Sequence, residues 1–114
     1  MQIVIETFVA LLFGHAIADF VLQSDAMAKG KNRNREVDPA MIPVGQKFTP
    51  AWGYWLTAHA MTHGAVVYLI TGSLLFALLE TTAHWIIDFG KCENWYGIHT
   101  DQSLHVLCKG LWCF

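Results

Sequence analysis

The sequence predicts an all-α fold: an integral membrane bundle of three spanning helices with a shorter fourth helix near the C-terminal end. Hydrophobic residues make up 54% of the 114 residues and charged residues only 14%, whereas about a quarter of an ordinary soluble domain is charged. The apolar residues also lie in runs that are long enough to cross the hydrocarbon core of a bilayer. We therefore expect a single membrane-embedded domain over residues 1–114.

Each predicted helix corresponds to one apolar run. The runs cover residues 3–22, about 51–70 and about 73–90, and the shorter helix is predicted over residues 101–113. No positive charge precedes the first run, and His15 and Asp19 interrupt it, so we expect it to be retained rather than cleaved as a signal peptide. Trp and Tyr residues near the ends of the runs are typical of a membrane–water interface. A soluble bundle with an unusually apolar core is the alternative.

The segment between the first two predicted helices, at about residues 26–50, carries five of the seven basic residues. The turn at residues 71–73 has none. By the positive-inside rule this pattern predicts a multi-pass protein of the bacterial inner membrane with a cytoplasmic loop. The basic loop is interpreted as a solvated segment that orients the chain, with RNA or anionic lipid binding as the alternative. The net charge of −2 argues against a nucleic-acid partner, because duplex binding depends on neutralising many phosphates.

Polar residues four positions apart recur on all four predicted helices. The pairs are His15 and Asp19, His59 and His63, His84 and Asp88, and Asp101 and His105. Residues four apart face the same side of an α-helix, so each pair presents two donors together. At about 1.5 Å per residue, His15, His59 and His84 lie roughly 10–13 Å from the loop-side ends of their helices. Antiparallel packing would therefore bring the pairs to one level.

Imidazole and carboxylate ligands together suit Zn²⁺, Fe²⁺ and Mn²⁺, so the sequence predicts a divalent metal site. Zinc is favoured, and the donors suffice for two ions. The predicted ligands are His15, Asp19, His59, His63, His84, Asp88 and His105, with His99 a weaker candidate. Asp101 and Glu80 are the candidate general bases, and Gln23, Glu80 or Gln102 can fix the tautomer of a ligand histidine. The alternative is a set of His–Asp pairs that only hold the bundle together.

Three stretches of the chain carry a family resemblance. They are GHAIADFVLQSDAMAKGKN at residues 14–32, HWIIDFGKCE at residues 84–93 and YGIHTDQSLHVLCK at residues 96–109. In these stretches the chain resembles a family of small phage and bacterial proteins known as domain of unknown function 3307. The resemblance covers nearly the whole chain and implies a phage or bacterial inner-membrane protein, but that family has no established activity.

The chain is more faintly similar to bacterial membrane-bound metal-dependent hydrolases, which also place His and Asp on spanning helices. Their H-R-G-x-T-H-S motif corresponds here to HAMTHG at residues 59–64, where the two histidines are one residue closer and the arginine is absent. The similarity favours a metal-dependent hydrolase that acts on a phosphoester or lipid-linked substrate in the membrane. Two alternatives stay open. One is a non-catalytic phage protein that excludes rival phages or binds a host membrane protein. The other is a metal carrier or oxidative di-iron site. A homo-oligomer is compatible with each of these functions.

Overall fold

The computed structural model describes residues 1–114, apart from the side chain of Met41, and is 72% helical, with no strand in this described part. The all-α prediction is therefore confirmed. The elements are α1 Gln2–Ala16, which continues as a π-helical turn Ile17–Val21, α2 Asp25–Gly30, a 3-10 turn Pro39–Met41, α3 Trp52–Thr71, α4 Leu74–Cys92 and α5 Ile98–Leu111. The fourth predicted helix thus begins at Ile98, three residues before the predicted start, and the basic loop contains the short helix α2.

One helix of the described chain is long and apolar enough to cross a membrane by length and composition. It is α1 with its π-helical turn, Gln2–Val21, which has a mean hydropathy of 1.8. Helices α3 and α4 coincide with the other two predicted spans, but the polar residues inside them lower their hydropathy. Three membrane spans therefore stay a prediction, whereas four long helices are a feature of the fold.

A tight turn joins α3 to α4. Gly72 ends α3 with a φ of 67°, a left-handed conformation that glycine adopts without strain. The Ser73 side chain then caps α4 by accepting a hydrogen bond of 3.2 Å from the Phe76 N–H. Further along, Gly64 permits close approach, because a Cβ there would lie only 2.0 Å from Thr81 Oγ1. The two helices therefore pack as an antiparallel pair with small residues between them.

Helices α1 and α5 complete an antiparallel four-helix bundle. Two contacts show the relative direction of α1 and α3, since Gly14 lies against Val66 and Asp19 meets His59. Two more do so for α4 and α5, where Glu80 pairs with Lys109 and Asp88 with His105. In each helix pair a rising residue number on one helix meets a falling number on the other. Helix α5 therefore runs back along the bundle from the loop side.

The interior of the bundle is polar and its surface is apolar. Among the described side chains, six hydrophobic residues are buried against eleven polar or charged ones. The exposed faces of the four long helices instead carry large apolar residues, such as Phe13 (68% exposed), Leu69 (81%), Leu78 (58%) and Leu107 (64%). This is the reverse of an ordinary soluble domain, in which charged residues are almost never fully buried. The core therefore consists mainly of the polar residues that the sequence pattern singled out.

Candidate metal centre

All four long helices and the π-helical turn contribute side chains to one buried polar cluster. Helix α1 provides His15, the π-helical turn provides Asp19, α3 provides His59 and His63, α4 provides His84 and Asp88, and α5 provides Asp101 and His105. Each of these residues is at most 6% exposed. The ring centres of His15 and His59 lie 6.4 Å and 4.9 Å from that of His84, which agrees with the common level that the depth estimate predicted. Asp19 lies on a π-helical turn, a rare element that is frequent at functional sites.

One half of the cluster is centred on Asp19. Its Oδ1 lies 3.1 Å from His59 Nε2 and 3.3 Å from His63 Nε2, and 3.9 Å from His84 Nε2. The four residues offer one ligand atom each within 4.8 Å of one another. Because one ion can touch donors that converge in this way, these four residues could hold an ion in a tetrahedral arrangement.

The other half is centred on Asp88. Its Oδ1 accepts a hydrogen bond of 3.0 Å from His105 Nε2, and its Oδ2 lies 3.4 Å from His84 Nε2 and 3.3 Å from His59 Nε2. His84, Asp88 and His105 form a second set of donors within 4.8 Å of one another. His84 belongs to both sets, so the two halves meet at one imidazole.

Asp101 extends the cluster on the α5 side. Its Oδ1 lies 3.4 Å from His105 Nε2, and a third convergent set consists of Asp19, Asp101 and His105. Within the described structure, Asp101 Oδ1 is buried and has no hydrogen-bond donor. This carboxylate oxygen is therefore free to bind a cation or to accept a proton.

The separations between the donors fit a coordination sphere. With metal–ligand bonds of about 2.0–2.1 Å, neighbouring atoms of a tetrahedral site lie about 3.3–3.4 Å apart. The spacings of 3.1–3.4 Å around Asp19, Asp88 and His59 are close to that value. In addition, His63 Nε2 and both ring nitrogens of His84 are buried without a hydrogen bond to any described group. Ring nitrogens without a partner are costly to bury, and an ion would provide the missing partner.

Gln102 holds the acidic groups in place. Its Oε1 accepts from His15 Nε2 at 2.9 Å, and its Nε2 donates to Asp19 Oδ2 at 2.8 Å and to Asp101 Oδ2 at 3.1 Å. His15 Nε2 also lies 3.6 Å from Asp19 Oδ2, but His15 belongs to none of the three convergent sets found among the described residues. Gln102 was expected to orient a histidine and is placed to do so. His99 is exposed on the first turn of α5, away from the cluster.

Two buried lysines enter the cluster, and sequence reasoning identified neither as a partner of a buried carboxylate. Lys31, from the basic loop, is 6% exposed and donates to Asp88 Oδ2 at 2.7 Å and to Gln23 Oε1 at 2.6 Å. Lys109 is 2% exposed and pairs with Glu80, which also accepts from Trp112 Nε1 at 2.6 Å. The one feature of the sequence that could have indicated these lysines is the excess of acidic groups on the helices, because buried carboxylates need positively charged partners.

Four buried carboxylates share the core with two buried ammonium groups. The carboxylates belong to Asp19, Glu80, Asp88 and Asp101, and the ammonium groups belong to Lys31 and Lys109. Protonated histidines beside these carboxylates or a bound cation can supply the two remaining positive charges. A divalent cation is one source of that charge, and the donor geometry also fits such an ion.

The fold and the cluster define an all-helical bundle protein with a buried His/Asp centre that has the donors of a divalent metal site. The chain belongs to a family described as "Protein of unknown function (DUF3307)", whose model matches residues 7–109. This match confirms the resemblance seen in the sequence. No curated protein and no solved structure matches the chain, so the fainter similarity to metal-dependent hydrolases stays a prediction.

Proposed function

We propose that this protein is a multi-pass bacterial or phage inner-membrane protein that binds divalent metal, zinc above all, in the His/Asp centre. The observation that carries the proposal is the convergence of Asp19, Asp88 and four buried histidines on shared sets of donor atoms that lie within 4.8 Å of one another. In a low-dielectric interior such a set is stable only if its charges are paired or bind a metal. Zinc fits because imidazole and carboxylate are among its usual ligands.

The polar interior and apolar surface support a location in the membrane. Exposed leucines and phenylalanines on all four long helices contact hydrocarbon favourably, whereas polar groups are satisfied inside the bundle. Charged residues within membrane helices usually face the bundle interior, where they pair with one another and mark functional sites. In this orientation the basic loop between α1 and α3 lies on the cytoplasmic side.

The proposed activity is hydrolysis of a phosphoester or lipid-linked phosphate. A bound divalent metal would lower the pKa of water and polarise a phosphoryl group. Asp101 is the better candidate for the general base, because its Oδ1 is buried without a hydrogen bond to a described group, whereas Glu80 is already paired with Lys109 and Trp112.

A non-catalytic role is the second candidate, and the burial of the ligands favours it. His59 and His84 are fully buried and Asp88 is 2% exposed. Structural zinc sites are closed in this way, whereas catalytic sites keep a position open for water or substrate. In this case, the metal would only stabilise the bundle of a protein that binds a host membrane protein or a second copy.

Metal analysis of the detergent-purified protein tests the metal centre. We expect stoichiometric zinc, iron or manganese in the wild type and its loss in His59→Ala and Asp88→Ala. His99→Ala is the matched control, because His99 is exposed outside the cluster, and it should keep the full metal content. A folded wild type without metal, or equal loss in the control, would reduce the cluster to a network that holds the helices together.

Hydrolysis is tested by Asp101→Asn, which removes the negative charge but nearly preserves the shape. If Asp101 is the general base, this variant should keep its metal and lose about 10²–10⁴ of the rate of phosphate release from a lipid phosphate. No metal-dependent hydrolysis by the wild type, with metal bound, would favour the non-catalytic role.

A further inference from the structure

A cavity of about 480 Å³ lies at the loop-side end of α3. The side chains that give it chemical character are Asn32, Arg33, Arg35, Trp52 and Trp55. Guanidinium groups beside aromatic rings are typical of sites that bind phosphate-bearing ligands. The sequence pattern favours a solvated segment here, with RNA or anionic lipid binding as the alternative.

The two arginines of the cavity differ in their pairing. Arg33 lies 5.8 Å from the centre of the Trp52 ring and forms an ion pair with Glu93. Its hydrogen bonds lower the pKa of Glu93, so that carboxylate stays charged and neutralises Arg33. Arg35 has no carboxylate within 4 Å among the side chains described. The cavity therefore presents one guanidinium that is not held in an ion pair, and such a group can bind an anion through two hydrogen bonds.

Two residues of the cavity wall lie close in the chain to residues of the metal centre. Gly30 is part of the wall, and the next residue, Lys31, reaches Asp88 in the cluster. Trp55 also lines the cavity and lies one helical turn before His59 on the same face of α3. Lys31 and the first turns of α3 therefore connect the cavity wall to the proposed site of hydrolysis.

An apolar groove continues from the cavity along α3. It has a volume of about 680 Å³ and shares Pro50 and Trp52 with the cavity. Its other walls include Ala58, Met61 and Trp85. From Trp52 to Met61 it follows α3 for about 14 Å, a length that suits an extended hydrocarbon chain.

We propose that a lipid phosphate binds here, with its phosphate beside Arg35 and its acyl chain in the groove. This inference rests on the proposed function and names its substrate class. The charge of the cavity and the apolar lining of the adjoining groove match the two ends of one amphipathic ligand. A free phosphate or a nucleotide would leave the groove empty.

Fluorescence quenching tests the proposal, because Trp52, Trp55 and Trp85 line the two spaces. The probe is phosphatidic acid with brominated acyl chains, added to the detergent-purified protein. We expect saturable quenching by this lipid, and no saturable quenching by brominated diacylglycerol, which lacks the phosphate. Inorganic phosphate or ATP at equal concentration should not compete. Saturable binding of the diacylglycerol, or competition by phosphate or ATP, would overturn the assignment to a lipid phosphate.

Matched variants localise the binding. Arg35→Ala should raise the dissociation constant about tenfold or more, the effect of losing a charge-assisted hydrogen bond. Lys47→Ala removes an exposed charge of the same loop outside the cavity and should have little effect. Ala58→Trp should fill the groove and weaken binding, whereas Leu69→Trp, at an 81% exposed position of the same helix, should not. Equal effects within either pair would refute the site.

Metal content, measured in the same samples, separates the two proposals. Lipid binding that fails while metal is retained overturns this inference and leaves the metal centre standing. A wild-type protein that is purified without metal but still binds the lipid overturns the metal-centre proposal and upholds the lipid site.

Discussion

Replacing Lys31 by Met tests whether the polar core depends on its buried cations. The Lys31 ammonium lies 2.7 Å from Asp88 Oδ2, and the two side chains are 7% and 2% exposed. Methionine fills a similar volume but leaves the carboxylate without its counter-ion. Removing one partner of a buried pair costs about 3–5 kcal/mol, so the free energy of unfolding of the metal-free protein should fall by that amount.

The chain offers a matched control two residues away. Lys29 pairs with Asp25 at 2.9 Å, but these side chains are 62% and 82% exposed. An exposed pair contributes about 0–1 kcal/mol, so Lys29→Met should change stability little. Lys31→Arg keeps the charge and should recover part of the loss.

The assay is denaturant unfolding of the EDTA-treated protein in detergent, followed by far-UV circular dichroism. Added zinc should raise the free energy of unfolding of Lys31→Met more than that of the wild type, because the ion supplies the missing positive charge. Equal destabilisation by Lys31→Met and Lys29→Met would refute the reasoning, since the buried pair would then contribute no more than an exposed one.

His84→Ala should weaken metal binding in a metal titration, because His84 belongs to two of the three ligand sets; a wild-type affinity for metal in this variant would contradict the shared imidazole. Gly64→Leu should destabilise the bundle by about 1–3 kcal/mol through overpacking against α4, whereas Gly53→Leu, at a position with nothing within 4 Å, should not, and thermal unfolding compares the two. Phe13→Arg places a charge at a 68% exposed position near the middle of the apolar helix Gln2–Val21, which should cost about 2.5–3.5 kcal/mol of membrane insertion. Val44→Arg, in the exposed loop, is its control, and equal recovery of both variants in the alkali-resistant membrane fraction would argue against a membrane-embedded α1.

The helices could be predicted because the apolar runs and the four-residue spacing of the polar groups both follow the helical repeat. Helices α3 and α4 lie within two residues of their predicted bounds. The π-helical turn Ile17–Val21 was not predictable, because its side chains continue the same apolar run and the turn depends on packing of Asp19 against α3. The fourth helix starts early at Ile98 because Gly97 already adopts an extended conformation that permits helix entry there.

For the candidate cluster, the sequence could predict only which residues take part and their common depth from the loop-side ends of the helices. Periodicity identifies which face of a helix carries His59 and His63, but it contains no information about which partner each nitrogen meets. Lys31 was assigned to a solvated loop because it lies among other basic residues. Its burial depends on α2 and on Gly30, where a Cβ would lie 2.7 Å from the Trp55 ring. Such long-range packing leaves no local pattern in the sequence.

The distribution of the donors over four helices has a consequence for biosynthesis. At roughly 5–20 residues per second, the ribosome delivers His105 about 4–17 seconds after Asp19. During that interval the first helix has an acidic group but none of its eventual partners from α5. We expect the nascent helix to keep Asp19 near the lipid headgroups and to move it inward as the later helices arrive. Capture of the ion would then be among the last steps of assembly, after the whole bundle has been translated.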